Sequence, residues 1–252
     1  MTARLITIPF SHYCEKARWA ADYVGLAYRE DAFIPGAHLL ATRRAGGRTV
    51  PVLVTSDRAY TDSSDILAFL DSVASDERKL YPARASERRD VEAFEDACNR
   101  ELGPATRLVA YSYGLRDPRM LMRRVAPSLG RAQRVAMRFT FPLVGRLIRR
   151  RYRVNDENAA RARETTERVF ATASERLARM PFLGGDRFGA ADLTFAALAA
   201  PAVMPPGHPS FDTNATDLTR EQLTLRATPA GAYVLRLYRE HREHRAPARR
   251  PA

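Results

Sequence analysis

The chain has 252 residues, 45% of them hydrophobic, and a formal net charge of +12 at neutral pH. This length supports one large domain or two modest ones, with cores that need no disulfide or metal staples. The two cysteines, Cys14 and Cys98, exclude a disulfide framework and suit a reducing compartment. The uncharged run Leu5–Phe10 is too short for the core of a signal peptide, so we expect a cytoplasmic protein.

The first 76 residues alternate between strand and helix patterns. The first helix begins near Cys14 and ends at Gly25, a residue favoured just after a helix. The last helix opens with the capping residues Asp62 and Ser63 and then repeats apolar residues at helical spacing. The predicted order is βαβαββα, with strands at about 3–10, 27–33, 50–56 and 58–62 and helices at about 14–25, 36–44 and 62–74. These elements define an α/β domain with a mixed sheet over residues 1–76.

A polar stretch at residues 77–86 is the predicted linker to a second domain, residues 87–252. No convincing strand pattern follows the linker, so we expect an all-α helical bundle. The uncharged run Leu193–Phe211 has about the length of a membrane span. Four prolines interrupt this run, which favours a buried helix followed by a loop. Helices are predicted at about 91–102, with a bend at Gly103–Pro104, and at about 155–180, 190–200 and 230–244.

One helix start is defined by the sequence FGAADL. With Gly189 as N-cap, Asp192 falls at the third helical position, where its carboxylate can accept a hydrogen bond from the Gly189 N–H. Phe188 and Leu193 then occupy the two positions of a hydrophobic staple. We interpret Asp192 as a cap that stabilises the fold and has no part in chemistry.

The segment FSHYCEK, which begins at Phe10, joins the first strand to the first helix. The N–H groups and the dipole at a helix N-terminus favour a bound anion, so this turn is a candidate site. Ser11 and Cys14 are the two residues of the turn whose side chains could bind this anion.

Four segments of the chain, taken in order, resemble those of the cytosolic glutathione transferase family. SHYCEKARWA resembles the turn into the first helix, and TVPVLV resembles the family's cis-proline strand. DSSDILAFLD resembles the helix start Glu-Ser-x-x-Ile-x-x-Tyr-Leu, and FLGGDRFGAADLTFAAL resembles the capping motif of the helical domain. The resemblance covers nearly the whole chain except its basic segment. It implies a thioredoxin-like domain followed by an all-helical domain.

The resemblance also implies roles for five residues. Ser11 would stabilise the thiolate of glutathione, and the backbone of Val50 and Pro51 would bracket its cysteinyl part. Asp62 and Ser63 would hold its γ-glutamyl end. A proline within a strand pattern is unusual unless it begins the strand or follows a cis bond, so we predict a cis Val50–Pro51 bond.

Three residues near the turn leave alternatives open. His12 stands where the family has proline, so either the turn is looser or the imidazole takes part in the site. Cys14 corresponds to the second cysteine of a glutaredoxin motif, and as the working thiol it would make the protein a glutathione-dependent thiol reductase or lyase. We favour a buried, inert Cys14, because Ser11 holds the exposed position one turn earlier. Cys98 lies on the apolar stripe of its helix and is predicted to belong to the core.

Residues 116–153 contain twelve arginines and one acid, Asp117, so this segment has a net charge of +11. The arginines alternate with apolar residues, and Pro127 and Pro142 are expected to break the segment. Three interpretations remain open: a helical elaboration with a solvated charged face, an amphipathic surface in weak contact with an anionic membrane, or a site for an acidic substrate or partner. Nucleic acid is not expected, because no aromatic binding platform is evident.

We therefore expect a glutathione S-transferase-like enzyme that conjugates glutathione, its co-substrate, to hydrophobic electrophiles without a metal. The alternative is a catalytically idle member that binds glutathione or a partner protein, and another small thiol could replace glutathione as the ligand. The resemblance also implies a homodimer and a role in detoxification.

Overall fold

The computed structural model describes residues 3–211 and 218–242. The N-terminal domain is a four-stranded mixed sheet with strand order β2-β1-β3-β4, flanked by three helices. Strand β1 pairs parallel with β2 and antiparallel with β3, and β3 pairs antiparallel with β4. The predicted βαβαββα order is confirmed. In chain order the elements are β1 (Ala3–Thr7), α1 (His12–Val24), β2 (Tyr28–Ala32), α2 (His38–Arg44), β3 (Val52–Val54), β4 (Ala59–Tyr60) and α3 (Ser63–Val73).

The strand register brings three chain segments to one edge of the sheet. Ile6 pairs with Val52, which places the end of β1 beside the start of β3. Leu53 pairs with Tyr60, which places the end of β4 beside the same start. The turn after β1, the segment before β3 and the segment after β4 therefore leave the sheet at the same edge.

The described part of the C-terminal domain is helical, apart from an isolated bridge between Phe182 and Gly185. A π-helical segment, Cys98–Leu102, joins its first two helices without a break, close to the bend predicted at Gly103–Pro104. The elements are α4 (Ala85–Ala97), α5 (Gly103–Gly114), α6 (Pro118–Val125), α7 (Arg131–Arg151), α8 (Asp156–Leu177), α9 (Ala190–Val203), α10 (Arg220–Ala227) and α11 (Pro229–Glu240).

Helix α9 forms the centre of the molecule. Thirteen of its fourteen residues are buried, and its apolar side chains share one core with both domains. Trp19 of α1, for example, belongs to the same buried cluster as Leu198 of α9. The buried helix predicted within Leu193–Phe211 is confirmed. Among the described residues, no helix combines the length and hydropathy that a membrane span requires.

The predicted cap at the start of α9 is confirmed. The Gly189 N–H donates to Asp192 Oδ2 at 2.9 Å, and the Leu183 N–H donates to Oδ1 at 2.6 Å. Burial raises the pKa of Asp192 to about 6, although these hydrogen bonds favour its ionised form. Glycine is required at the N-cap because a Cβ there would lie 2.5 Å from the carbonyl oxygen of Leu80.

The basic segment is two helices rather than three broken pieces. Pro127 lies in a short 3₁₀ turn, Ala126–Ser128, between α6 and α7, so the break predicted there is confirmed. Pro142 lies inside α7 and does not end it, so the break predicted there is wrong. The last helix was predicted to reach residue 244, but it ends at Glu240, and His241 and Arg242 are not helical; residues 243 and 244 lie outside the described residues.

Candidate functional site

Ser11 is the N-cap of α1 at the edge where β1 leaves the sheet. Its backbone is extended, with φ −81° and ψ 122°, and its N–H donates to the Ile8 carbonyl at 3.1 Å. Its Oγ accepts a hydrogen bond from the Cys14 N–H at 3.5 Å. A hydroxyl can accept and donate at once, so accepting this capping hydrogen bond does not use the O–H donor. Ser11 is therefore a half-buried capping residue at the predicted turn, and its role toward a thiolate stays a prediction.

The other predicted ligand-binding residues lie at the same edge of the sheet. The Val50–Pro51 bond is cis, as predicted, and directly precedes β3. Asp62 is the N-cap of α3, and its Oδ1 accepts a hydrogen bond from the Ser64 N–H at 2.8 Å. The capping role predicted for Asp62 is confirmed, whereas Ser63 is the buried first residue of α3. The fold thus brings together two helix N-termini and the cis-proline segment.

Cys14 is fully buried, as predicted. Its Sγ accepts a hydrogen bond from the Ile8 N–H at 3.5 Å. Burial raises the pKa of the Cys14 thiol, and the smaller opposing effects of Arg18 and the Ser11 hydroxyl do not offset it. Cys98 is also buried, and burial raises the pKa of its thiol as well. Neither sulfur has the exposure or the lowered pKa of a working thiol.

His12 faces the helical domain. Its imidazole is buried, and its Nε2–H donates to the Gly103 carbonyl at 2.9 Å. Burial, reinforced by the charge of Arg107, lowers the pKa of His12 to about 3. The imidazole is therefore neutral at physiological pH and ties the first turn of α1 to α5. The structure gives His12 a role at the domain interface, and its predicted auxiliary part in the site stays a prediction.

The π-helical segment supplies a second tie to α1. The Gly103 N–H donates to the Cys98 carbonyl, and Pro104 has no N–H to donate. The carbonyl of Asn99 is thereby freed from the helix ladder, and it accepts a hydrogen bond from the Tyr13 hydroxyl at 2.7 Å. Sequence reasoning located the irregularity near Gly103–Pro104 but not its partner in the other domain.

A buried polar network holds the first turn of α3. Lys16 Nζ donates to Glu95 Oε1 at 2.7 Å and to Asn99 Oδ1 at 3.1 Å. The Ser64 hydroxyl donates to the same Glu95 oxygen at 2.7 Å, and the Tyr81 hydroxyl donates to the other at 2.6 Å. Burial alone would raise the pKa of Glu95, but Lys16 and these hydrogen bonds lower it overall. Sequence reasoning missed this network, because no local pattern pairs a lysine on α1 with a glutamate on α4.

The backbone that leads into Ser11 is fixed by two further side chains. Arg18 of α1 donates to the carbonyls of Ile8 and Pro9, at 3.1 and 2.8 Å. Ser210 of the helical domain donates to the same Pro9 carbonyl. The turn is therefore held from both domains even though it lacks the family's proline after Ser11.

The surface beside this turn is apolar. Phe10, the residue before Ser11, packs with Ile34 against a cluster formed by Val125, Leu129 and Met137 of the basic segment. The basic segment therefore adjoins the site that the family resemblance predicts. Among the described residues, no group of three or more His, Cys, Asp or Glu side chains is placed to share a metal ion.

A thioredoxin-like domain followed by a helical bundle is the class of protein that this fold defines. Residues 5–78 match the family model of the glutathione S-transferase N-terminal domain. Direct comparison with curated protein sequences gives no significant match.

Comparison with solved structures identifies many similar folds. Glutathione transferase F1 from poplar has a TM-score of 0.58 at 12% identity, over 95% of this chain and 99% of its own. A glutathione S-transferase from Pseudomonas fluorescens Pf-5 has a TM-score of 0.55 at 16% identity, over 91% and 97%. Glutathione S-transferase-I, solved with lactoylglutathione bound, has a TM-score of 0.55 at 14% identity, over 94% and 100%.

Residues 5–78 thus match the glutathione S-transferase N-terminal domain family, and the whole chain has the fold of its structural neighbours, a thioredoxin-like N-terminal domain followed by a helical C-terminal domain. At these identities the structural neighbours establish the fold, and the activity has to be argued from the site.

Proposed function

We propose that the protein is a glutathione transferase in which Ser11 activates the thiol of glutathione for attack on a hydrophobic electrophile. The observation that supports this proposal is the convergence of three features at one edge of the sheet: the Ser11 hydroxyl at the start of α1, the Val50–Pro51 segment, and the start of α3. The buried Cys14 argues against the alternative, a reductase or lyase that uses this thiol.

The interactions available at this edge are strong enough for the proposed role. A thiol with a pKa of about 8.5 is mostly protonated at neutral pH, and lowering that pKa by about two units requires roughly 2.7 kcal/mol of preference for the thiolate. A hydrogen bond to a charged group supplies about 1.5–3 kcal/mol. The helix N-terminus adds about 0.3–1 kcal/mol. The Ser11 hydroxyl and the start of α1 together suffice without a metal or a general base.

The tripeptide is held by groups on both sides of Ser11. The backbone of Val50 pairs with its extended cysteinyl part, and the Ser63 hydroxyl with the first turn of α3 binds its γ-glutamyl carboxylate. The thiol proton leaves to solvent, and the thiolate attacks the electrophilic carbon. For an aryl halide, a carbon–sulfur bond forms and the halide departs. The apolar surface at Phe10 lies beside Ser11, where a hydrophobic acceptor would bind.

The proposal also includes the oligomeric state and the cellular role that the family resemblance implies. A homodimer is expected, and conjugation of hydrophobic electrophiles would serve detoxification in the cytoplasm. No resident metal and no nucleic acid are part of the proposed function.

A pair of variants tests the assignment of the hydroxyl. Ser11→Ala should lower kcat/KM for conjugation of glutathione to a chlorodinitrobenzene about ten- to a hundredfold, since the hydroxyl hydrogen bond supplies about 1.5–3 kcal/mol of the thiolate stabilisation. It should also move the apparent pKa in the pH–rate profile upward towards that of free glutathione. Cys14→Ala removes a buried sulfur near the same turn and serves as the matched control, with rates close to wild type.

Three other outcomes would contradict the proposal. Loss of activity in Cys14→Ala but not in Ser11→Ala would assign the chemistry to the cysteine. A rise in unfolding temperature with glutathione, without turnover of any aryl halide, would indicate an idle binding protein. Neither a stabilising effect of glutathione nor turnover would leave the fold without the proposed function.

A further inference from the structure

Helix α7 carries an apolar stripe on its outer side. Val135, Phe139, Leu143 and Leu147 are 57%, 78%, 62% and 58% exposed. They are half of the eight large apolar side chains that are exposed in the described chain. Because they are spaced by four residues, they form one line of about 18 Å along the helix.

The stripe is not the side by which α7 packs on the protein. Met137 on the other side of the helix is buried with Val125 and Leu129. Gly145 is also buried, and a Cβ there would lie 3.2 Å from Leu115. Helix α7 therefore has one apolar side that completes the fold and a second that faces solvent. Four large apolar side chains left in solvent on one helix are typical of a surface that binds something.

Arginines accompany the stripe at a fixed spacing. Arg138, Arg146 and Arg150 each stand three residues after a stripe residue, so they lie on the same side of the helix. Two of them, Arg138 and Arg146, also line an open groove of about 860 Å³ between α6 and α7, whose lining includes Met122 and Phe141. The arginines that line this groove are Arg119, Arg123, Arg134, Arg138, Arg146 and Arg149.

None of these six groove arginines has a carboxylate partner among the described residues. Guanidinium groups bind phosphate oxygens in a planar, two-pronged geometry. The stripe thus has no protein partner, and Arg138 and Arg146, which stand between the stripe and the groove, have no protein anion among the described residues.

We propose that α7 docks on the surface of an anionic phospholipid bilayer. The apolar stripe would enter the boundary between headgroups and acyl chains, with the helix axis in the plane of the membrane, and the groove arginines would bind lipid phosphates. A bilayer offers an apolar layer and a sheet of phosphates at adjacent depths, which matches the adjacent stripe and arginines. A second copy of the chain does not match, because a symmetric contact through α7 would bring two segments of +11 together.

The docked helix would lie beside the candidate site. Gln133 of α7 donates to the Ala32 carbonyl of the N-terminal domain at 2.9 Å, and Met137 packs near Phe10. Membrane contact would therefore bring the edge that carries Ser11 close to the bilayer. The docking itself does not rest on the proposed function and is tested without an activity assay.

A single introduced tryptophan can report the contact directly. Trp19 is the only tryptophan and is fully buried, so its emission provides a constant background. Phe139→Trp should shift its emission to shorter wavelength with vesicles of phosphatidylcholine and phosphatidylglycerol, and not with phosphatidylcholine alone. Leu40→Trp, at an exposed leucine of α2, is the matched control and should not respond.

Sedimentation with the same vesicles measures the two parts of the surface separately. The double variant Phe139→Ser/Leu143→Ser keeps the charge and should lower the partition coefficient about tenfold. Arg146→Gln/Arg149→Gln keeps the stripe and should weaken binding by a similar factor and reduce its dependence on salt. Leu40→Ser/Leu223→Ser removes two exposed leucines elsewhere and should bind like wild type.

Several results would overturn the proposal. An unshifted Phe139→Trp emission, or equal shifts with both kinds of vesicle, would exclude docking on an anionic bilayer. A shift that grows with protein concentration in the absence of vesicles would assign the stripe to a second copy of the chain. Equal binding to soluble polyglutamate, unaffected by the two serine substitutions, would assign the arginines to an acidic partner.

Discussion

His12 directly follows Ser11, and its buried imidazole connects the start of α1 to the Gly103 carbonyl of the helical domain. Its pKa is lowered to about 3, first by burial and second by Arg107, so the folded protein holds it neutral. The unfolded chain binds a proton at this side chain near pH 6.5. The stability that neutral His12 contributes is therefore present above pH 6.5 and is lost as the pH falls towards 3. His208, whose buried imidazole has a pKa lowered to about 4, acts in the same direction.

Replacing His12 by glutamine should reduce the acid sensitivity of the fold. The glutamine amide can donate to Gly103 in place of Nε2–H and does not titrate. At pH 5 the protonation of unfolded His12 costs the wild type about 2 kcal/mol relative to neutral pH. Urea unfolding of wild type and His12→Gln at pH 7.5 and 5 measures this difference, and His208 contributes equally to both proteins. The same loss of stability in both proteins would show that His12 is not the titrating group.

Residue roles were predictable where the partners are close in sequence. Asp192 and Gly189 are three residues apart, and their capping contact follows from helix geometry alone. His12 and Gly103 are 91 residues apart, and no local pattern links them. The sequence suggested either a looser turn at His12 or an imidazole that takes part in the site. Neither alternative included the contact with the other domain that the structure shows.

At the scale of secondary-structure elements, the junction of α4 and α5 depends on the absence of a side chain at Gly103. A Cβ there would lie 2.6 Å from Cζ of Tyr13, the residue whose hydroxyl binds the π-helical segment. Glycine inside a helix is otherwise less favourable than alanine by about 1 kcal/mol. The close approach of Tyr13 thus explains a glycine that helix propensity would not select.

The effect of Gly103→Ala should reverse sign when Tyr13 is removed. In the wild type the added methyl overlaps the Tyr13 ring, and we expect a loss of about 1–3 kcal/mol in the free energy of unfolding. In a Tyr13→Ala background the overlap is gone, and the higher helix propensity of alanine should stabilise the protein by up to about 1 kcal/mol. Chemical denaturation of the four proteins of this cycle gives the coupling. An equal loss in both backgrounds would mean that the ring does not set the requirement for glycine.

Two helices of the C-terminal domain were not predicted correctly from the sequence patterns. Pro142 was expected to break the basic segment, since a proline inside a helix costs about 3 kcal/mol. Helix α7 continues through it, because its inner side packs at Met137 before the proline and at Gly145 after it. Helix α10 was not predicted, although Thr219 and Gln222 form the capping box that marks its start. The three-residue spacing of Thr219 and Gln222 is the sequence pattern from which the start of α10 could have been predicted.

At the scale of the whole molecule, the two domains share one core and are joined by buried ion pairs, one of which is Lys16–Glu95. The order of the domains followed from local patterns of strands and helices, but the contacts between them did not. Lys16 and Glu95 are 79 residues apart and lie in different domains, yet their charged atoms are 2.7 Å apart with both side chains almost fully buried. The same Glu95 also accepts the Ser64 hydroxyl at the start of α3. The ion pair therefore positions part of the candidate glutathione site as well as joining the domains.

Breaking this pair from one side should destabilise the whole chain in a single transition. Lys16→Met leaves the Glu95 carboxylate buried without its cation, which costs about 3–5 kcal/mol.

Without Lys16, burial raises the pKa of Glu95 above its unfolded value. The folded state then binds the extra proton, so the defect is smallest at acidic pH and grows as the pH rises through the raised pKa. Adding Glu95→Gln removes the stranded charge, so the double variant should recover part of the lost stability and lose the pH dependence. Thermal unfolding of the three proteins, followed by circular dichroism at pH 5 and 8, measures both effects. Two separate transitions, or a double variant less stable than Lys16→Met, would show that the domains do not depend on this pair.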